Sequence, residues 1–222
     1  MTNLSIYFVT NLLKKFKYKE MKKSMTQELE RRQFKKVKRL SAPRITPQEG
    51  EWHKSISQTY NLYKKAFEGK IPNVSKTLAR HPKLMKNWEP LTNYLMMRSR
   101  LPKRDREIVI LRIGWLCQSE YEWAQHAIIA KEIGLLEEEI QRITKGPDAK
   151  GWSEFEKTLI CAVDELYTDA FISDDTWKAL SENYNIKKLM DLIVTVGQYN
   201  LVSMFLNSTG VQLEEGKKGF PE

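Results

Sequence analysis

The chain has 222 residues, 41% hydrophobic and 10% aromatic, with 37 Lys and Arg against 28 Asp and Glu, a formal charge of +9. That length fits one ordinary domain, or a domain with a tail, and the apolar content excludes a wholly disordered chain. No uninterrupted apolar run approaches the roughly 18 residues that span a bilayer, so no membrane span is expected. Cys117 and Cys161 are too few for a disulfide framework and make a reducing, cytoplasmic setting the default.

In chain order, the charge comes first. Residues 1–44 hold 13 basic side chains against Glu20, Glu28 and Glu30, a net of +10, so the remainder nets −1. The chain divides by composition into a basic, weakly ordered extension, 1–44, and a nearly neutral body, 45–222. The apolar stretch from Asn3 to Leu13 lacks the basic start and small-residue cleavage site of an export signal. Phe16, Tyr18 and Phe34 interleave with lysines, a composition that fits a nucleic-acid backbone or an anionic surface and equally a solvated tail, with Met21 or Met25 as an alternative start.

From residue 45 onward apolar residues recur at spacings of three and four, which predicts helices near 51–68, 74–80, 82–98, 103–117, 120–133, 137–145, 153–169, 174–184 and 187–206. Pro102 suits the first turn of the fourth, Gly134 a C-terminal cap, and Ser173-Asp-Asp-Thr a helix start. The segment 103–117 turns almost solidly apolar after Glu107, and the last helix is apolar nearly all round; both are expected in the interior or at a subunit interface. The fold class is all-α.

The chemistry concentrates around the turn at 117–119. Ser119, Glu122 and His126 fall at i, i+3 and i+7, one stripe of a helix, so Glu122 can touch His126, orient its ring and raise its pKa. If the flanking helices pack antiparallel, Glu107 and His126 lie ~16 and ~12 Å from the turn at 1.5 Å per residue and can meet. A proton-transfer site is one reading of these residues. The other is structural: Ser119-x-x-Glu122 is also a capping box, and His126 a core histidine. Arg112 is either a substrate-carboxylate anchor or half of a buried ion pair. Tyr121 and Trp123, with Trp115, are pocket-lining candidates or core aromatics; Cys117 is a small buried hydrophobe or a thiol nucleophile, and Cys161 reads as core. His53, His81 and His126 have no ligand spacing, so no metal is expected.

Here the sequence resembles the carboxymuconolactone decarboxylase family, within the alkylhydroperoxidase D-like superfamily. The likeness rests on Leu101-Pro-x-Arg-x-Arg-Glu107, Leu111-Arg112, Glu120-Tyr-Glu-Trp123, His126 and Ala130-x-x-x-Gly134-Leu135, and extends through Trp152, Ala162-Val-Asp-Glu-Leu166 and Asn207-x-x-Gly210-Val211. The resemblance implies an antiparallel helical bundle assembled into trimers or hexamers, with the proton-relay glutamate at Glu107 and the relay histidine at His126. In the peroxidase branch a CxxC occupies the positions held here by Ser119 and Glu122. Without those thiols, the departure favours a lyase that decarboxylates a small cyclic carboxylate; on that reading His126, Glu107 and Glu122 are catalytic, Arg112, Trp123 and Tyr121 are candidates to bind substrate, and no cofactor is expected. The alternatives are a peroxidase using Cys117, and a non-catalytic helical oligomer tethered through its basic tail.

Overall fold

The computed structural model describes residues 40–221. Most of the basic extension, with the candidate starts Met21 and Met25, lies outside the described residues. Among those described, every regular element is helical. After a short 3-10 turn at Lys54–Ile56 come α1 (Ser57–Ala66), α2 (Asn73–Leu78), α3 (Pro82–Met97), α4 (Lys103–Leu116), α5 (Glu120–Glu132), α6 (Glu137–Lys145), α7 (Glu154–Asp169), α8 (Asp174–Ser181) and α9 (Ile186–Thr209). The periodicity located each of these, with most ends within two or three residues.

The local signals act as their chemistry requires. Ser153 and Ser173 accept hydrogen bonds from the amides of Glu156 and Thr176, capping α7 and α8. Pro102 stands one residue before α4, as its N-cap. Gly210 ends α9 at φ +72°, where a β-carbon would lie 2.9 Å from Leu40 and 3.1 Å from the Ala42 carbonyl; the turn needs glycine for both reasons. Residues 40–44, grouped by charge with the extension, pack here: Arg44 N donates to the Thr209 carbonyl at 2.8 Å and Gln212 Nε2 to that of Leu40 at 3.0 Å.

α4 is the axis of the fold, packing against α5, α6, α7 and α9. Its residues Arg106 to Gly114 are all buried, because neighbours surround it and no face is left to solvent. Ile108, Leu111, Trp123, Ala130, Ile143 and Ile160 form one core cluster around it. Apolar burial at ~25 cal/mol per Å2 is the term that holds such a bundle together. The expectation that no segment could span a bilayer needs correcting. By length and composition α9 passes that test, with mean hydropathy 1.4, but 56% of the window is buried inside the protein. The polar interruptions that broke the uninterrupted apolar run, such as Asp191, Gln198 and Asn200, point into the fold or its seams, so α9 reads as a core helix.

Candidate active site

α4 and α5 are joined by a turn in which Gln118 takes a left-handed conformation at φ +52°. The chain reverses there, bringing Glu107 across from His126. Glu107 Oε2 lies 2.6 Å from His126 Nδ1, and Glu122 Oε1 lies 3.0 Å from His126 Nε2. Arg106 Nε donates to the other Glu107 oxygen at 3.0 Å. The result is a buried chain, Arg106 to Glu107 to His126 to Glu122, in which Glu107 is 0%, Glu122 5% and His126 6% exposed.

Carboxylate oxygens only accept, so an imidazole flanked by one at each nitrogen satisfies both contacts only when doubly protonated. Burial alone disfavours that charge, but the fields of Glu107 and then Glu122, with their hydrogen bonds, outweigh it and push His126 up to about 10. Burial likewise opposes ionisation of Glu107, yet His126 and Arg106 hold its carboxyl below the usual range. At neutral pH the site is therefore an imidazolium between two carboxylates. The Tyr199 ring meets the His126 ring edge-on at 5.0 Å between centroids, and its phenol is driven upward in pKa by burial, so it stays a neutral hydroxyl.

One end of this chain opens. His126 and Glu122 line a cavity of about 260 Å3 whose remaining wall comes from α1, α2, α3, α5 and α9. Glu107 is not among the lining residues; it stands behind His126 as the source of its charge. Gln125 and Tyr121 flank Glu122 on the wall, and both are held from behind by Glu214, whose carboxylate accepts from Tyr121 Oη and Gln125 Nε2 and caps the amide of Asn73.

The structure sorts the sequence-selected residues. It brings together Glu107, Glu122, His126 and Tyr121. The capping-box reading of Ser119 and Glu122 fails: Ser119 makes no side-chain cap, its Oγ is buried without a partner among the described residues, and Glu122 bonds His126 instead. Arg112 lies elsewhere. Its Nε and Nη2 donate to the two oxygens of Asp164 at 2.6 and 2.9 Å, and its Nη1 to the Ile143 carbonyl at 2.8 Å, so it is committed to partners inside the protein and does not line the cavity. Trp123, one residue past Glu122, turns to the opposite side and packs on Trp115 and Phe220. Cys117 Sγ contacts Asn200 Oδ1 at 3.2 Å on α9 and does not line the cavity.

Sequence reasoning missed Arg106, Tyr199, Glu214 and the cavity side chains from α1 and α3, notably Tyr63, Glu89 and Asn93. Only Arg106 was visible, inside the motif ending at Glu107. Among the described residues no group of three or more His, Cys, Asp and Glu is placed to hold a metal ion.

Residues 82–160, just over a third of the chain, match the model of the carboxymuconolactone decarboxylase family. A search of the curated proteins finds no match. Among solved structures, the fold is similar to a peroxidase-related protein of Silicibacter sp. TM1040 (TM-score 0.67, 15% identity, covering 81% of this chain and 96% of that one). It is also similar to an alkylhydroperoxidase AhpD core protein of Ralstonia eutropha JMP134 (0.66, 17%, 74% and 87%). A third similar structure is the debrominase Bmp8 in complex with 2,3,4-tribromopyrrole (0.64, 12%, 77% and 91%). The architecture is thus the all-helical alkylhydroperoxidase D-like fold.

Proposed function

On the premise of a carboxymuconolactone decarboxylase match spanning 82–160 and an alkylhydroperoxidase D-like fold, we propose that this chain is an acid–base enzyme moving a proton at carbon on a small ring substrate. The observation that carries the reading is the buried Glu107, His126, Glu122 relay with only its Glu122 and His126 end on the cavity. Glu122 stands where a thiol nucleophile would stand in the peroxidase branch, which replaces nucleophilic redox chemistry with a carboxylate base. In the forward step Glu122 takes a proton from a substrate C–H, and the electron pair of that bond moves into the adjacent unsaturated system. His126, still charged, stabilises the anionic product of that transfer, and the proton on Glu122 returns to a different carbon. No electrons leave the substrate, and the enzyme returns to its starting state.

Decarboxylation, the reaction implied by the family name, is the finer version of this chemistry: CO2 leaves in place of the first proton, His126 donates its proton to the carbon, and a proton from solvent restores the imidazolium. A substrate with further carboxylates needs a cation to hold them. Arg112 is spent on Asp164, and among the described residues no Lys or Arg lines the cavity. The wall therefore favours substrates without free carboxylates, and a cavity just below the ~300 Å3 at which drug-sized pockets begin favours a single ring. The debrominase of the same fold holds a single-ring pyrrole.

We extend the proposal to assembly. Ile186, Met190, Val194, Leu201 and Met204 form an exposed apolar stripe along α9, the kind of surface that a second copy of the chain covers. Light scattering should give a trimer or hexamer, and Met190→Asp should dissociate it.

The central test is a panel of unsaturated and carbonyl-bearing single-ring compounds in D2O, followed by NMR for deuterium incorporation or isomerisation. Turnover by the wild type that vanishes in Glu122→Gln supports the reading. Turnover retained in Glu122→Gln overturns it.

A further inference from the structure

The relay uses one wall of the cavity and leaves the other unexplained. The same lining carries Glu89, from α3, and five aromatic rings: Tyr63, Phe67, Trp88, Tyr121 and Tyr199. Glu89 forms no ion pair among the described residues, and its Oε1 is buried without a hydrogen-bond partner. Glu89 as a whole is half-buried, but an oxygen shielded from water without a partner or counter-charge carries a cost that a ligand can offset. The cavity is the side from which a counter-charge can reach it, since among the described residues no basic side chain lines its wall.

We infer that Glu89 is the recognition site for a protonated amine on the substrate, a single-ring compound whose ammonium group is held by this carboxylate and the surrounding aromatic faces. The inference rests on the proton-transfer reading above for the far end of the ligand, where the reacting carbon faces Glu122. Each feature of the wall fits a cation better than the alternatives. Ring faces are negative and attract ammonium groups, an arrangement that recurs wherever organic cations are bound in aromatic cages. Among the described residues an anionic ligand would meet two carboxyls and no cation except His126, which is already shared by Glu107 and Glu122. A neutral ligand could offer Glu89 a hydrogen bond but no counter-charge.

The resting state of Glu89 agrees. Burial raises its pKa, with the Tyr63 and Thr59 hydroxyls only partly restoring the ionised form. A bound ammonium supplies the missing counter-charge at short range.

The test uses size-matched probes on the full chain: benzylamine, benzyl alcohol and phenylacetate, titrated at neutral pH and read by Trp fluorescence, with Trp88 in the wall as reporter. Benzylamine is expected to bind about tenfold or more tightly than benzyl alcohol, with phenylacetate weakest. Glu89→Gln should erase that preference while leaving the benzyl alcohol affinity unchanged, and Glu122→Gln should keep the preference. No detectable benzylamine binding, phenylacetate binding at least as tight, or a preference that survives in Glu89→Gln each overturns the inference. The two readings fail separately. Loss of the ammonium preference in Glu89→Gln is a binding result, whereas the proton-transfer reading stands or falls on turnover in Glu122→Gln.

Discussion

Two buried ionic clusters are anchored on α4, five residues apart, and they differ in what they leave unspent. Arg112 faces Asp164 on α7 in a bidentate pair, with its remaining donors on the carbonyls of Ile143 and Thr144. Four of its five N–H donors are used inside the protein, and it does not line the cavity beside His126. Glu107 faces His126 on α5, and that pair is extended by Glu122 to a cavity wall. Five residues along a helix turn the side chain by about 140°, so one helix serves both clusters on different faces. Burial and charge are common to the two. What separates a structural cluster from a candidate site is an open end where a proton or a ligand can enter.

The sharpest way to break this contrast is to disable the open cluster while keeping its shape. Glu122→Gln should lower turnover by about 10^2- to 10^4-fold, the span ordinarily lost with a general base, while circular dichroism and assembly remain as in the wild type. An active Glu122→Gln enzyme would place this cluster with Arg112 among the structural ones. Removing Arg112 should do the reverse. Arg112→Ala leaves Asp164 buried and unpaired and should cost ~3–5 kcal/mol in urea unfolding, whereas the double variant Arg112→Met with Asp164→Leu should recover most of the loss. If Arg112→Ala were stable and lost substrate affinity alone, the closed cluster would be a binding site after all.

A third outcome separates the clusters by pH. The pKa of His126 is raised from 6.5 to about 10 in the folded protein, so its contribution to stability is complete below about 6.5 and is lost as pH rises towards 10. Glu107 is held below its ordinary 4.5, so its contribution is present above that value and is lost as pH falls through the folded pKa. Stability from the relay should therefore be greatest between about 4.5 and 6.5 and decline on the alkaline side, as Tm measured from pH 5 to 10.5 would record. His126→Asn should flatten that alkaline decline. A wild-type Tm that stays level from pH 6.5 to 10 would mean that His126 is neutral.

The smallest effect is expected at Cys117. With its sulfur against Asn200 and away from the cavity, Cys117→Ser should change turnover less than twofold and should leave peroxide consumption at the wild-type level, as a coupled thiol assay would show. A thiol-dependent peroxidase activity abolished by this change would move the active site to the α4–α9 seam.

How much of this was legible depended on how local each feature is. Helix existence and position follow from short-range periodicity and capping, so α1 to α9 could be placed from residue types alone. The contact between Glu122 and His126 is equally local, because residues four apart share a helix face whatever the helix packs against. The Glu107 partner required only one added assumption, antiparallel packing across a three-residue turn.

Other features were decided by packing. Whether Arg112 met a substrate or Asp164 depended on α7, some fifty residues away in sequence. Trp123 and Glu122 are neighbours in sequence but turn about 100° apart, and nothing in their types says which of them faces a cavity. Tyr63, Glu89 and Tyr199 reach that cavity from α1, α3 and α9.

By itself, then, the sequence determined an all-helical body, the axial helix α4 and the carboxylate–imidazole stripe on α5, because local geometry enforces each of them. Tertiary structure decided which charges were sealed and which were left open, where Cys117 and Trp123 point, and what chemistry lines the cavity. The physical reason is that a helix sets the angles between its own side chains but not its rotation against its neighbours. That rotation is chosen by burial summed over the whole core.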